Sequence, residues 1–416
     1  QRIIPRIDHG TLNFALDLII LVLFDRTTFA MDYQSLTPQN ATGLLSLIGL
    51  VALFIGVLFL IRRTQLNRLK QAQVAPSSAA KPFPQISDYA QKLPAFAQAG
   101  QAEKQAILRQ SFEQWQSTCL LRGLDGDTEF LRGETQKRGL RYQVTNTSLA
   151  QGLALVIQAQ MAQDGDDSRG RFERLLAHLL AHPAQGHPAL SSWLSMPDLP
   201  SSPRLEPDLH AEAWILIALL TARQQWGSLQ RFDLDRIIQE RSQALLDALK
   251  SDCEDQGLVF SPFLYRNIAQ QLPDPLWQTR NEADWRALIP LLREGKGLPN
   301  RREALSLLQI GLDGLLCPGN GFADRYNLSF SRLKRALSNL EPLEGEVEEG
   351  FSRLASFGCC VPLALVGENS GNFDQLWTRL VEARPANQDA LGACLRLLGM
   401  MILTGTLWLD GTEIAE

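Results

Sequence analysis

Residues 210–227, HAEAWILIALLTARQQWG, are the most informative segment of this sequence. After His210 and Glu212 the segment is apolar around most of its circumference, which is typical of a helix buried on all sides. Two polar side chains at the start of such a helix either stabilise its N-terminus or take part in chemistry. The segment therefore predicts a buried helix and marks a candidate functional position.

The same spacing of apolar residues, three and four positions apart, recurs along the chain after residue 100. The helical segments are 103–121, 148–163, 169–182, 211–226, 233–250, 283–295, 301–316, 329–340 and 388–405. Segments that are apolar around the whole helix alternate with segments that are apolar on one face only. This alternation favours an all-α toroid, with an inner ring of helices covered by an outer ring. Periodicity alone would equally allow a solenoid or an irregular bundle.

Composition excludes some functions and limits others. The chain has 416 residues, is 45% hydrophobic and 20% charged, and has a formal net charge of −5. It has no basic block long enough to follow a phosphate backbone, so nucleic acid is not an expected partner. Six cysteines occur without a CxxC pair, which favours buried thiols in a reducing compartment over a disulfide framework.

Two apolar segments near the start predict membrane contact. Residues 43–61 are uncharged, and a helix of that length rises about 28 Å, enough to span the hydrocarbon core. Residues 11–24 are shorter and contain Asp17, so they form a second span, an interfacial helix or a subunit contact.

Positive charges after the clear span indicate its orientation. Arg62, Arg63, Arg68 and Lys70 follow residue 61, and they predict that the C-terminal part faces the cytoplasm. A cleaved signal peptide before Gln1 would place it in the periplasm instead. The predicted divisions are an N-terminal segment at 1–40, a transmembrane helix at 41–63, a Pro/Ala/Gln-rich linker at 64–100 and an all-α domain at 101–416.

Several segments resemble, in order, those of one enzyme family. They are FEQWQSTCLL (112–121), SLAQGLAL (148–155), FERLLAHLLAHPAQGHPALSSWLS (172–195), HAEAWILIALLTARQQWG (210–227), FSPFLYRNIAQQLPDPLW (260–277), SFSRLKRAL (329–337) and LLGMMILTGTLWLDG (397–411). The family is glycoside hydrolase family 8, in particular the endoglucanases encoded with bacterial cellulose synthases. The resemblance implies an (α/α)6 barrel that cuts β-1,4-glucans with inversion at the anomeric carbon.

The family's catalytic carboxylates are absent from the positions that the resemblance assigns to them. The acid position is occupied by Leu149, the base position by Ser331 and a sugar-contacting aspartate position by His210. Inverting hydrolysis needs two carboxyl groups roughly 6.5 to 9.5 Å apart, and none of these side chains supplies one. On this ground the sequence predicts no catalytic residues and a non-catalytic member of the family.

Other side chains are weaker candidates. Asp208 is expected to cap the helix that begins at His210, and Glu212 to favour the positive end of its dipole. A retained ligand contact or a catalytic role for the His210/Glu212 pair is the alternative. Trp193 and Trp214 are candidate sugar contacts, with core packing favoured for Trp214.

No metal or cofactor is predicted. His178 and His182 lie four apart on one helix face, but no carboxylate or cysteine completes a ligand set at a suitable spacing.

The resulting hypothesis is a membrane-anchored, non-catalytic subunit that acts as a scaffold or regulator. Its expected partner is an exopolysaccharide synthase, plausibly for cellulose, with a glycan or a further copy of the chain as additional candidates. The first alternative is an active endo-β-1,4-glucanase with relocated carboxylates, with Glu212, Asp208 or Asp324 serving. The second is a helical scaffold of an unrelated membrane complex.

Overall fold

The computed structural model divides the chain into two compact units, Gln1–Ala75 and Pro76–Glu416. All residues that the structure describes belong to the second unit. They are 79–87, 89–90, 100–123, 126–133, 135–138, 141–196, 204–256, 298–316, 343–348, 351–366, 373–386 and 388–408.

Helices account for most of the described residues. They are α1 (Gln101–Cys119), α2 (Ser148–Gln160), α3 (Ser168–Ala181), α4 (Leu209–Trp226), α5 (Leu234–Gln256), α6 (Arg301–Leu316), α7 (Arg353–Val366), α8 (Phe373–Glu382) and α9 (Ala390–Leu403).

The helix ends follow from local sequence. Thr147 caps α2, since its side-chain oxygen accepts a hydrogen bond from the N–H of Ala150. Asp208 caps α4 by accepting from the N–H groups of His210 and Ala211. Capping side chains satisfy N–H groups that have no partner within the helix. At the other end of α4, Gly227 has φ +69°, a conformation that glycine adopts without a Cβ clash.

Five of the helices form an inner layer. Their packing order is α4, α2, α9, α7 and α6, each against the next, while α1 and α8 pack against α9, α3 against α2, and α5 against α4. Every residue of α2 is buried, as expected of a helix covered on both sides. The predicted two-layer, mostly helical architecture is therefore confirmed.

Glycines allow the inner helices to approach closely. A Cβ on Gly311 of α6 would lie 2.3 Å from the backbone nitrogen of Leu363 in α7. A Cβ on Gly358 of α7 would lie 2.8 Å from the carbonyl oxygen of Leu395 in α9. Real Cβ atoms do not approach backbone this closely, so both contacts depend on glycine.

Short antiparallel pairs of strands join the helices, a feature that the all-α prediction does not contain. The pairs are β1 (Leu120–Arg122) with β2 (Glu129–Leu131), β3 (Thr135–Arg138) with β4 (Arg141–Val144), β5 (Asn146–Thr147) with β6 (Leu194–Ser195), and β7 (Glu346–Glu348) with β8 (Phe351–Ser352). Strands of two to four residues are too short to show period-two alternation in a sequence.

The described residues within 79–90, here called the strap, fall within the predicted linker at 64–100, yet they pack against the helical unit. Phe83 and Tyr89 are buried in the main core. The strap is held to the C-terminal ends of α2, α4 and α9: Phe83 N–H donates to Ala162 O, Ala80 N–H to Gln225 O, and Ser87 N–H to Gly405 O. This part of the segment is therefore not a free tether.

No helix among the described residues is long and apolar enough to cross a membrane. The predicted spans at 11–24 and 43–61 lie outside the described residues.

Candidate active-site cleft

Of the positions that the resemblance assigns to catalysis, the structure describes Leu149 and His210, and it does not bring these two together at a surface. Leu149 lies in the first turn of α2 and is fully buried. His210 lies in the first turn of α4, half-buried, with its Nδ1 2.8 Å from the Nε2 of Gln309 in α6. Ser331 and Asp324 lie outside the described residues. Leu149 and His210 therefore provide neither a carboxylate nor a shared opening.

Glu212 is part of a buried ion pair and not a cleft residue. Its side chain is 0% exposed, and its Oε2 accepts a hydrogen bond from Nη1 of Arg241, which is itself buried. Its Oε1 accepts from the backbone N–H of Ser191 at 2.7 Å. Burial raises the pKa of the Glu212 carboxyl, while Arg241 and the Ser191 N–H oppose that rise. The alternative that Glu212 contacts a ligand or performs catalysis does not fit the structure, because no solvent reaches its side chain.

The two candidate tryptophans are in different environments. Trp214 of α4 is 1% exposed and belongs to the core, the role that the sequence favours for it over a sugar contact. Trp193 is 40% exposed, although its backbone is firmly held. Its N–H donates to Glu206 O and its carbonyl accepts from Ser148 N–H, each at 3.0 Å. A fixed backbone thus presents an open aromatic surface.

His178 is buried, and its ring packs against that of the half-buried His182. Their ring centroids are 4.3 Å apart, and Nε2 of His178 lies 2.9 Å from Oγ of Ser195. Burial, with a smaller contribution from His182, lowers the pKa of His178 to about 3, so the ring is neutral at physiological pH. No group of residues in the described part of the chain could hold a metal ion.

A large cleft opens where four of the inner helices begin. Its volume is about 1180 Å³, more than a typical small-ligand pocket needs. The cleft is lined by Thr147, which caps α2, and by Asp389, which caps α9. It is also lined by Arg301, the first residue of α6, by Ser352, which precedes α7, and by Trp193. The cleft therefore lies at the end of the helical layer opposite the strap.

Charged side chains from two regions, the segment before α7 and the end of α8 with the residues that follow it, also line the cleft. Glu344 and Glu346 come from the loop and strand before α7, whereas Arg379 and Glu382 come from the last turn of α8. Arg384 follows α8. Carboxylates and guanidinium groups together provide donors and acceptors for a polar ligand.

Asp389 is the cleft carboxyl with the most strongly defined environment. Its Oδ1 accepts a hydrogen bond from the N–H of Gly392 at 2.8 Å, which caps α9. The Ser352 hydroxyl also hydrogen-bonds it, and that hydroxyl accepts from Ala355 N–H at 2.9 Å. Burial raises the pKa of Asp389, the charge of Glu346 adds to the rise, and the bonds from Ser352 and Gly392 oppose it. A half-buried carboxyl beside an exposed one thus lies in an open cleft.

Sequence reasoning missed these carboxylates. The sequence analysis does not single out Glu344 or Glu346, although both line the cleft. Asp389 could have been identified as a helix cap, because it directly precedes the apolar run of α9. Nothing in the sequence places the two features near each other.

The fold of the second unit is shared with solved enzyme structures. The apo structure of a β-1,3-1,4-glucanase from Paenibacillus sp. X4 matches with a TM-score of 0.60 and 15% identity, covering 79% of this chain and 99% of that one. A reducing-end-xylose releasing exo-oligoxylanase complexed with xylose matches at 0.58 and 14% identity, covering 78% and 97%. A cold-adapted family 8 xylanase in complex with substrate matches at 0.57 and 12% identity, covering 82% and 99%.

The helical unit has the family 8 glycoside hydrolase fold. The matching structures are (α/α)6 barrels, which confirms the fold that the resemblance implies. No protein-family model matches the chain, and no curated protein is similar to it in sequence.

The prediction that the protein is not an enzyme is wrong in the light of these matches. The solved structures that share its fold are active glycoside hydrolases, a glucanase and xylanases. The prediction rested on Leu149, Ser331 and His210 alone. A replaced carboxylate excludes chemistry at its own position only, and the cleft carries carboxyl groups elsewhere.

Proposed function

We propose that this protein is a glycoside hydrolase that cleaves a β-linked glucan in the cleft at the N-terminal ends of the inner helices. The observation that carries the proposal is the combination of an exposed tryptophan and several carboxylates around one opening. Hydrolysis of a glycosidic bond needs one carboxyl group to protonate the leaving oxygen and another to activate water. The cleft offers both kinds of group.

The size and lining of the cleft support a polymeric sugar as the ligand. A volume of about 1180 Å³ accommodates several sugar rings. The flat face of Trp193 suits the apolar face of a pyranose ring, and the charged side chains suit its hydroxyl groups. The solved structures of similar fold are, by their names, a β-1,3-1,4-glucanase and xylanases. These names give the first substrates to test.

The proposal keeps the predicted anchor and partner as hypotheses. The apolar segment at 43–61 would hold the enzyme at a bacterial inner membrane, beside a polysaccharide synthase. Trimming of a nascent or misplaced glucan would be the task of a hydrolase there. Recovery of a synthase with the solubilised chain would support this placement, and its absence from the recovered complex would argue against it.

The direct test uses the full chain, extracted from membranes, and measures reducing ends released from β-1,3-1,4-glucan, β-1,4-glucan and xylan. Hydrolysis of at least one polymer is expected. Replacing Trp193 with alanine removes the stacking surface and should raise KM about tenfold, which corresponds to about 1.4 kcal/mol of binding free energy.

Leu180→Ala is the matched control, since Leu180 is a similarly exposed apolar side chain that does not line the cleft. Its KM should equal that of the wild type. Failure of the wild-type chain to release reducing ends from any of the three polymers would refute the proposed function.

A further inference from the structure

We infer that Asp389 is the proton donor of this cleft and that Glu346 is its partner base. The inference rests on the proposed function, since it assigns roles within the same hydrolysis. It concerns positions at the start of the last inner helix and in the hairpin before α7, not the positions that Leu149, His210 and Ser331 occupy. Three features of the structure carry it.

The first feature is orientation. Asp389 is held by Gly392 N–H at the start of α9 and by the Ser352 hydroxyl at the start of α7. The Ser352 hydroxyl accepts from Ala355 N–H, so its own proton is free to point to Asp389. Two inner helices therefore fix one carboxyl group in the cleft wall. Catalytic groups need this kind of support, because small displacements cost large factors in rate.

The second feature is a difference in environment between two neighbouring carboxyl groups. Asp389 is half-buried, whereas Glu346 is exposed in the same cleft. Burial and the charge of Glu346 both disfavour ionisation of Asp389 and raise its pKa. When neighbouring carboxyl groups are separated in this way, the buried one serves as acid and the solvated one as base.

The third feature is the position of both groups in an opening large enough for the substrate. Asp389 and Glu346 line the cleft that also contains Trp193. In the reaction the Asp389 proton passes to the glycosidic oxygen as the bond from that oxygen to the anomeric carbon breaks. A water molecule attacks the anomeric carbon and gives its proton to Glu346. The products are two shorter glycans, and proton exchange with solvent restores both carboxyl groups.

The other titratable and charged groups around Asp389 are two thiols that interact with it and the charged residues that line the same cleft. The thiols are Cys119 of α1 and Cys394 of α9. The charged residues are Arg301 of α6, Glu344 before β7, Arg379 and Glu382 of α8, and Arg384. Burial raises the pKa of both thiols, so neither carries charge at neutral pH. Glu346 remains the group whose charge adds to the rise in the pKa of Asp389.

The test compares two substrates and three variants of the full chain. One substrate is the glucan that the wild type cleaves. The other is an oligosaccharide of the same sugars with a dinitrophenolate leaving group, which departs without protonation. The variants are Asp389→Asn, Glu346→Gln and the control Glu240→Gln, an exposed carboxylate of α5 outside the cleft. Asparagine still caps a helix, so α9 keeps its hydrogen bond to Gly392.

Loss of the donor should slow glucan cleavage by Asp389→Asn at least about 100-fold while leaving the dinitrophenyl substrate within about tenfold of wild type. Glu346→Gln should slow both substrates, because water activation is needed for each. Glu240→Gln should slow neither. The fall in wild-type rate at high pH should disappear in Asp389→Asn on the activated substrate, since no donor remains to be deprotonated.

Glucan cleavage by Asp389→Asn within a few-fold of wild type would overturn the assignment while leaving the proposed function intact. An equal loss on both substrates, together with a lowered melting temperature, would also overturn it and reduce Asp389 to a helix cap. Absence of cleavage by the wild type itself would overturn the proposed function, and this assignment with it.

Discussion

Replacing Arg241 with methionine leaves the Glu212 carboxylate buried without its cation, and we expect a large loss of stability. Glu212 is 0% exposed and its side chain is bonded to Arg241 and to Ser191 N–H. Removing one partner of a fully buried ion pair costs about 3–5 kcal/mol, because the remaining charge keeps its desolvation penalty. The Ser191 N–H alone offsets only part of that penalty, about 1.5–3 kcal/mol at most.

The matched double variant separates the charge effect from the loss of packing. Glu212→Leu with Arg241→Met removes both charges and keeps similar volume, so we expect stability within about 1 kcal/mol of wild type or above it. Each single variant should be less stable than the double variant. This order of stabilities would show that the two buried charges are energetically coupled.

Urea unfolding followed by tryptophan fluorescence measures these free energies. All 8 tryptophans lie after residue 75, so the signal of the full chain reports on the second unit alone. A cost below 1 kcal/mol for Arg241→Met would contradict the argument. So would a Glu212→Gln variant that keeps its stability but loses hydrolysis, because Glu212 would then be acting on substrate.

Two further predictions concern the core. Folding lowers the pKa of His178 from 6.5 to about 3, so below pH 6.5 the unfolded chain takes up the proton first and stability falls as pH decreases. Between pH 7 and pH 5 the urea unfolding free energy should fall by about 2 kcal/mol more in wild type than in His178→Gln, and equal pH dependence would refute this. Gly311→Ala should lower unfolding free energy by about 1–3 kcal/mol, since its Cβ would meet the α7 backbone. An unchanged melting temperature would show that α6 and α7 can move apart.

The layered helical architecture could be predicted because burial leaves a local trace in the sequence. Residues 148–160 and 390–403 are apolar on nearly every side, and the structure buries nearly all of them in α2 and α9. A helix covered on all sides cannot carry a polar face, so its position in the inner layer is visible residue by residue. The cap at Asp208 leaves a similarly local trace.

The cleft could not be predicted because its parts come from distant segments. Trp193 follows α3, Glu346 precedes α7 and Asp389 precedes α9. Each has an ordinary local environment: Trp193 is an exposed loop residue, Glu346 is an exposed residue of a short strand, and Asp389 is a helix cap. Only the closure of the inner layer brings them to one opening, and no local pattern records that closure.

The error about catalysis had a related origin. Leu149, Ser331 and His210 occupy three positions of a family pattern, and the prediction equated the site with those positions alone. A large opening with many helix ends around it offers other places for a carboxyl group. Catalysis in such an opening depends on which side chains share its solvent-filled space, and this arrangement is set by the three-dimensional fold.

The strap at residues 79–90 sets the minimum length of a protein fragment that can fold as the native helical unit does. Gln225 bonds to both the N–H and the carbonyl of Lys81, and Ser87 Oγ donates to Leu407 O at 2.6 Å. Cutting the chain at residue 100 would strip these partners from three helix ends and uncover the apolar surface beneath Phe83 and Tyr89. Truncation for crystallisation or enzymology should therefore begin no later than residue 76, where the second unit starts.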